Sequence, residues 1–371
     1  MISLVIPTYN EADVIQDTLK RAAEVLQGSG EPFELIVVDD ASPDGTAGLA
    51  EALSAELPVR VLCRKGERGL ATAVVRGWEI ARGDVWGVMD ADLQHPPEVV
   101  CELLKALRRE NADLAVASRY CSGGGTVGWP WFRRLVSWAG MRVGTLALPW
   151  TLGVVTDSGS GIFLVRARAL QGVELKPRGF KMLLEVLAKA RYQKVVEVPY
   201  VFRNRTRGQS KLGARQYVEY LISLWGIGRS SGELNAWIGY GLAGLAGAMA
   251  YIAALVGLEN RTDWPLAISL LLAIQLGVLA SFIVDNGVSF RRGRAATRSL
   301  AASRLARYER LLLPGALMNA AVTYLGRTVG IELWGAALLG VMASACWNMA
   351  FAAPGIWAIW GKPLKGVGGR A

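Results

Sequence analysis

Histidine is nearly missing from this chain of 371 residues: His95 is the only one. With Pro96-Pro97 behind it, it reads as a packing or hydrogen-bonding residue and not as a catalyst. Cysteine is scarce as well. Cys63, Cys101, Cys121 and Cys346 form no C-x-x-C pair, which points to a reduced compartment and away from a zinc site. No G-x-G-x-x-G follows the first apolar run, and no G-x-x-x-x-G-K-[ST] occurs, so dinucleotide and P-loop readings lose their main support. The Gly66-Glu67-Arg68-Gly69 turn reads as a plain loop. Ile2 to Pro7 is too short an apolar run for a signal peptide and leads directly into strand-and-turn chemistry.

Apolar residues, by contrast, are abundant. They make up 52% of the chain, and the mean hydropathy of +0.29 is too high for an ordinary soluble enzyme of this size. The distribution is uneven. Met1 to about Gly232 reads as globular, and long uncharged runs dominate thereafter. The net charge of +10 divides into +3 before Leu234 (29 basic, 26 acidic) and +7 after it (12 basic, 5 acidic). Arginine beside hydrophobic spans favours a membrane face over nucleic acid.

The globular segment alternates strand and helix. Ile2–Ile6, Phe33–Val38, Val59–Cys63 and Val85–Met89 read as strands; Glu11–Leu26, Ala47–Leu57 and Gly69–Ala81 carry helical periodicity. That order implies a parallel sheet with right-handed crossovers, an α/β domain of nucleotide-binding type. Two strands end in acids: Asp39-Asp40 after the second, and Asp90-Ala91-Asp92-Leu93-Gln94 after the fourth. Alternate residues of an extended chain point the same way, so Asp90 and Asp92 can converge at the carboxyl end of a buried strand, where such sheets bind ligands. Hard divalent cations with phosphate-bearing substrates are held by one or two carboxylates plus the phosphates. Asp40 fits a ribose or base contact, with helix capping as the plainer alternative.

Three segments in this order, Val5-Ile6-Pro7-Thr8-Tyr9-Asn10-Glu11, Val38 to Thr46 and Asp90 to Pro96, resemble the inverting family 2 glycosyltransferases. They resemble most closely the polyprenyl-phosphate (dolichol-phosphate) mannose synthases. Ala117-Ser118-Arg119-Tyr120, Asp157 to Phe163, Gly179-Phe180-Lys181 and Arg205 to Leu212 extend the resemblance, which covers roughly the first 230 residues. It implies a glycosyltransferase A-type sheet with Pro7, Tyr9, Glu11, Val38, Asp40, Asp90, Ala91, Asp92, Gln94, Lys181, Arg205 and Lys211 around a nucleotide sugar. Asp90, Asp92 and Gln94 would hold Mg²⁺ or Mn²⁺. Asp92, Arg119, Arg205 and Lys211 would carry catalysis, and Arg119, Arg133, Arg134 and Ser137 would receive the acceptor phosphate. The Gly66–Thr72 loop departs from the family's more glycine-rich pattern.

Between 128 and 146, Trp129, Trp131, Phe132, Leu135, Val136 and Trp138 interleave with Arg133, Arg134 and Arg142. On a helix this describes a segment lying in a membrane interface; a core helix with solvated arginines is the plainer alternative. Residues 215–228 read as a second interfacial helix. Uncharged runs then suggest four spans, at about 234–258, 264–284, 311–330 and 334–360, the third being the least apolar. The 285–310 loop carries seven arginines, which places it, the catalytic domain (residues 1–232) and both termini on the cytoplasmic side of the cell membrane. The segment 233–371 resembles four-helix GtrA-type domains, and its two hairpins end alike, at Phe282 to Asn286 and Trp347 to Phe351.

The resemblance implies transfer of a hexosyl group with inversion from a nucleotide sugar, GDP-mannose before UDP-glucose, to a polyprenyl phosphate. A phosphomonoester has a second pKa of about 6 and needs no general base near neutral pH. The Q-x-x-R-W pattern of processive polysaccharide synthases does not occur. A transporter or scaffold with an inactive α/β domain is the non-enzymatic alternative.

Overall fold

The structure, a computed structural model, describes residues 1–176, 181–202, 214–289, 298–353, 355 and 356. Contacts divide the chain into two units, Met1–Ile227 and Gly228–Ala371. The break falls a few residues before Gly232, where the apolar runs begin.

In the first unit, β-branched runs become strands, buried on both faces except at the half-buried edge strand Val59–Cys63. They are β1 (Ile2–Thr8), β2 (Phe33–Asp39), β3 (Val59–Cys63), β4 (Val85–Val88) and β5 (Leu114–Ser118), separated by α1 (Ile15–Gln27), α2 (Thr46–Glu51), α3 (Leu70–Glu79) and α4 (Glu98–Arg109). The short strand β6 (Gly125–Thr126) leads to α5 (Trp131–Ala147) and α6 (Pro149–Leu152). Then follow β7 (Phe163–Arg166), α7 (Ala167–Leu170), α8 (Met182–Lys189), β8 (Val195–Pro199), β9 (Val201–Phe202) and α9 (Ala214–Ser231). The seven-stranded sheet runs β3-β2-β1-β4-β7-β5-β8.

The expected parallel pairing holds for β1 with β2 and β4, β2 with β3, and β5 with β8. It fails at β7, which lies antiparallel between β4 and β5. The chain reaches β7 after the excursion through α5 and α6 instead of through a crossover helix directly after β5, so nothing compels the parallel sense. Alternation along each strand sorts the core. Leu4, Ile6, Leu35 and Val37 pack beneath α1 and α4, while Val5, Ile36 and Val38 meet α3 on the other face. α2 stops well short of the expected Leu57, dissolving into turns before Pro58.

α5 is no core helix. Among the described residues only Met141 and Gly144 of α5 are buried, and Trp131, Phe132, Leu135 and Trp138 stand exposed, as do Leu221, Ile222 and Trp225 of α9.

The second unit is helical: α10 (Glu233–Arg261), α11 (Leu266–Val284), α12 (Arg298–Thr328) and α13 (Leu333–Trp347). Among the described residues, three helical stretches, Glu233–Arg261, Leu266–Gly287 and Leu333–Ala352, are long and apolar enough to cross a bilayer. Only 22–28% of their most apolar windows is buried within the protein, so most of their apolar surface faces outward. The expected span at 311–330 falls on the carboxy-terminal part of α12 and runs two residues past its end, and the helix's amino-terminal half carries Arg304, Arg307, Glu309 and Arg310. Residues 354 and 357–360 of the fourth expected span, and Arg291, Arg292 and Arg294 of the basic loop, lie outside the described residues.

The two hairpins repeat one another. A Cβ on Gly277 of α11 would strike the Gly247 carbonyl and the Tyr251 side chain, and one on Gly340 of α13 would strike the Asn319 carbonyl and the Thr323 side chain. Each second helix then passes into a π-helical turn, Asp285–Ser289 or Asn348–Ala352. The corresponding residues Tyr251 and Thr323 meet in a buried 3.1 Å hydrogen bond between their hydroxyls.

Left-handed residues close the ends of β1, β2 and β4: Asn10 (φ +55°), Ala41 (φ +51°) and Leu93 (φ +56°). Asn tolerates this region, but alanine and leucine do not. Ala41 is exposed. Ala41→Gly is expected to raise unfolding stability by up to about 1 kcal/mol, glycine's entropic cost offsetting part of the relief; chemical denaturation of the detergent-solubilised protein measures it.

Candidate active site

A cleft of about 710 Å³ opens at the carboxyl ends of β1, β2 and β4. Parallel strands aim these ends at one edge, so Pro7 and Tyr9, Asp40, and the Asp90–Gln94 turn arrive together.

On the first side, Asp39 acts as a tie between loops. Its carboxylate accepts from Thr8 Oγ1 (2.9 Å), Ser42 Oγ (2.6 Å) and the Ser42 N–H (2.7 Å). Asp40 faces the cleft but is engaged: Arg64 Nε donates to its Oδ1 at 2.8 Å, Arg64 Nη2 donates to the same oxygen, and the Gly69 N–H donates to Oδ2 at 2.8 Å. Buried Arg64 thereby pins the 64–69 loop, and Arg68 from that loop lies 4.8 Å over the Tyr9 ring. Glu11 lines the same wall, its N–H donating to Thr46 Oγ1 at 3.0 Å.

The acidic turn is held from beneath. Thr18 Oγ1 donates to the Ala91 carbonyl (2.7 Å), and the Gln94 N–H donates to Asp92 Oδ1 (3.1 Å). Gly161 gives Asp90 its room, since a Cβ there would fall 2.6 Å from Asp90 Oδ2. His95 Nδ1 lies 3.6 Å from the same oxygen, and burial pushes the imidazole pKa down to about 4, so the ring is neutral. Among the described residues, no three His, Cys, Asp or Glu side chains form a metal-binding group. The set here is two carboxylates and an amide oxygen, hard donors that leave positions for phosphate oxygens and water. That suits Mg²⁺ or Mn²⁺ in character.

The opposite wall is cationic. At the end of β5, Arg119 forms a bidentate pair with Asp157, Nε to Oδ2 at 2.7 Å and Nη2 to Oδ1 at 2.8 Å, and its backbone N–H joins at 3.1 Å. Burial opposes the guanidinium charge, and the Asp157 carboxylate more than restores it, raising the pKa. Lys181 lies with its Nζ 4.2 Å over the Tyr220 ring. Burial first, and then the nearby Arg119 charge, lowers its pKa to about 8, against the opposing pull of Asp157. From α5, Arg133 stacks on Trp129 at 4.3 Å, and Ser137 Oγ accepts from the Tyr120 hydroxyl at 2.7 Å.

The cleft thus gathers Pro7, Tyr9, Glu11, Asp40, Asp90, Ala91, Asp92, Gln94, Arg119, Arg133, Ser137 and Lys181. It does not gather Val38 or Arg134. The Val38 side chain is fully buried on the α3 face of the sheet, and Arg134 turns outward to the Thr126 carbonyl at 3.4 Å. Arg205 and Lys211 lie outside the described residues, as do Gly179 and Phe180. Sequence reasoning missed Arg64, Trp129 and Tyr220. The first partners a residue distant in sequence, and the other two read as ordinary apolar positions of interfacial segments.

Residues 3–173 match Glycosyl transferase family 2, and residues 239–357 match the GtrA/DPMS transmembrane domain. A dolichol-phosphate mannosyltransferase of Pyrococcus furiosus is 39% identical over 92% of this chain and 95% of its own length. An undecaprenyl-phosphate mannosyltransferase of Micrococcus luteus is 37% identical over 63% of this chain and 98% of its own. The dolichol-phosphate mannosyltransferase of Saccharomyces cerevisiae is 35% identical over 60% and 85%. Among solved structures, glucosyl-3-phosphoglycerate synthase from Mycobacterium tuberculosis, in complex with Mn²⁺, UDP and glucosyl-3-phosphoglycerate, aligns with a TM-score of 0.46. It is 22% identical, over 61% of this chain and 80% of its own.

Two outcomes are expected. Asp157→Asn leaves Arg119 buried without its counter-charge and lowers stability by about 3–5 kcal/mol, read by denaturant titration. Lys181 is charged below a pH of about 8 and neutral above it, so affinity for a phosphate ligand at the cationic wall should fall as the pH rises from 7 to 9. In Lys181→Arg, whose charge persists through that range, titration calorimetry should show this fall abolished.

Proposed function

Because the chain belongs to the family 2 glycosyltransferases of the dolichol-phosphate mannosyltransferase type, and is a membrane protein with a GtrA/DPMS transmembrane domain, we propose that it transfers mannose from GDP-mannose to a polyprenyl phosphate with inversion. The observation that carries this is the pairing, across one cleft, of an acidic turn suited to a metal-bound diphosphate with a cationic wall suited to a second phosphate.

In this reading an oxygen of the acceptor phosphate attacks the anomeric carbon from the face opposite the nucleoside diphosphate. The bond from that carbon to the diphosphate oxygen breaks, and GDP leaves with the electron pair. Asp90, Asp92 and Gln94 would hold Mg²⁺ or Mn²⁺, which supplies neutralising charge for the departing diphosphate when bound. Pro7, Tyr9, Glu11 and Asp40 line the nucleoside side. Arg119 and Arg133, with Ser137, orient the acceptor phosphate in line with the leaving group. Arg205 and Lys211 are proposed by resemblance to add fixed positive charge there.

No proton needs to be removed from a phosphomonoester whose second pKa is about 6. The one histidine agrees: His95 is 4% exposed and packs between Tyr200 and Phe202, a poor place for a base.

The division at about 232, four membrane crossings, and a cytoplasmic catalytic unit with both termini on the same side belong to this proposal. The exposed apolar side chains of α5 and α9 support a catalytic unit seated in the membrane interface. The arginine excess of 285–310 supports the orientation.

The test is lipid-phase transfer of labelled sugar by detergent-purified protein with Mg²⁺ or Mn²⁺ and a polyprenyl phosphate. Label from GDP-mannose and not from UDP-glucose is expected, with Asp92→Ala lowering the rate at least about 100-fold, the scale of one electrostatic transition-state contact. Label from UDP-glucose alone would replace the donor. No transfer from either, with nucleotide still bound, would favour the scaffold.

A further inference from the structure

One cleft side chain has no role in the chemistry above. Trp129 sits between Gly128, whose φ of +72° turns the chain, and Pro130, which precedes α5. It is 8% exposed and lines the cleft. Its ring meets Phe202 edge-on at 5.2 Å, and Phe202 meets His95 in the same way at 5.2 Å, so the indole is braced against the floor beneath the acidic turn. Its Nε1 is buried with no hydrogen-bond partner among the described residues. A buried indole that gains nothing from its N–H owes its place to its ring.

Two guanidinium groups share that ring. Arg133 lies 4.3 Å from its centroid and Arg119 5.7 Å. Their circumstances differ. Arg119 is clamped by Asp157 and the β5 end, so its position is set without the indole. Arg133 makes no ion pair among the described residues. It also stands in the first turn of α5, where the helix dipole disfavours a cation. The indole face is therefore what the structure offers to hold a mobile four-bond side chain at a fixed separation from Arg119. Cation–π attraction and planar stacking both act at this distance, and both favour guanidinium over ammonium.

We propose that Trp129 is a positioning residue for the acceptor: its ring is the platform that presents Arg133 beside the Asp157-clamped Arg119, so that the two guanidinium groups meet one phosphate. This rests on the reading of the cationic wall as the acceptor site. It assigns Trp129 no contact with the reacting atoms. Its effect passes through Arg133, and the donor side of the cleft is untouched by it.

The experiment uses the full chain in detergent and measures two dissociation constants, for GDP and for the short prenyl monophosphate farnesyl phosphate, with the acceptor KM and kcat of transfer alongside. Trp129→Leu is expected to weaken farnesyl phosphate binding and raise acceptor KM about tenfold, leaving GDP affinity within twofold. Trp129→Phe, which keeps an aromatic face, should recover most of the loss. Arg133→Lys, which keeps the charge but not the stacking plane, should resemble Trp129→Leu. In the double variant Trp129→Leu, Arg133→Ala, the loss should equal that of Arg133→Ala alone, because the platform has nothing left to hold.

Multiplicative losses in the double variant would overturn the proposal, as would an Arg133→Lys protein that binds farnesyl phosphate normally. Weakening of GDP and farnesyl phosphate in equal measure would mark Trp129 as merely structural and overturn it too. Should wild type bind farnesyl phosphate but transfer nothing from GDP-mannose, the donor assignment falls while the platform is still decided by the binding constants. A wild type that binds GDP but not farnesyl phosphate would overturn the acceptor reading, and the platform with it.

Discussion

The Arg119–Asp157 pair is the constraint on which the catalytic unit's geometry rests. Both side chains are nearly or wholly buried, so each charge is tolerable only because the other is there. The pair fastens the end of β5 to the segment that returns from α6 to β7. That segment carries Gly159 beside Lys181 and Gly161 beneath Asp90. A second tie backs it: the Glu197 carboxylate accepts from the N–H and the hydroxyl of Thr156. One ion pair therefore fixes the spacing between the acidic and cationic walls, and the aromatic floor of His95, Phe202 and Trp129 fills what lies between.

Much of this was legible in the sequence, for local reasons. β-branched runs ending in acids mark strand ends, and the parallel topology sends β1, β2 and β4 to one edge, so the order of strands and acids is enough to group Asp40, Asp90 and Asp92. Arg133 and Ser137, four apart, fall on one side of a helical turn, and α5 indeed brings both into the cleft. The same rules explain two departures. Val38 directly precedes Asp39 and Asp40, but strand alternation sends its side chain to the α3 face. Arg134 follows Arg133 by one residue, which on a helix is a different direction.

What stayed hidden depends on chain crossings that no local pattern encodes. Arg64 and Asp40 are 24 residues apart, Arg119 and Asp157 38 apart. Tyr220 anchors α9 to the Gly140 carbonyl from 80 residues away. Each partner taken singly carries no sign of the residue it meets. The antiparallel β7 belongs here too, since its sense follows from the route of the chain and not from its own four residues. In the membrane unit, length and composition mark three helices clearly, while α12 mixes arginines with an apolar half and tells less.

The repeated hairpins of that unit place Tyr251 against Thr323 where corresponding positions meet. Two identical hairpins, associating as separate chains, would have to put the same residue on both sides of that junction. Tyrosine against tyrosine would overfill it, and threonine against threonine would leave a void. Joining both halves in one chain frees them to differ, so that a large side chain can be answered by a small one and a single hydrogen bond can close the seam. The same freedom appears at the two π-helical turns, where a carboxylate, Asp285, opens one and a carboxamide, Asn348, opens the other. Tandem fusion thus turns self-matching into complementarity, and it lets a buried acid exist once in the fold instead of twice.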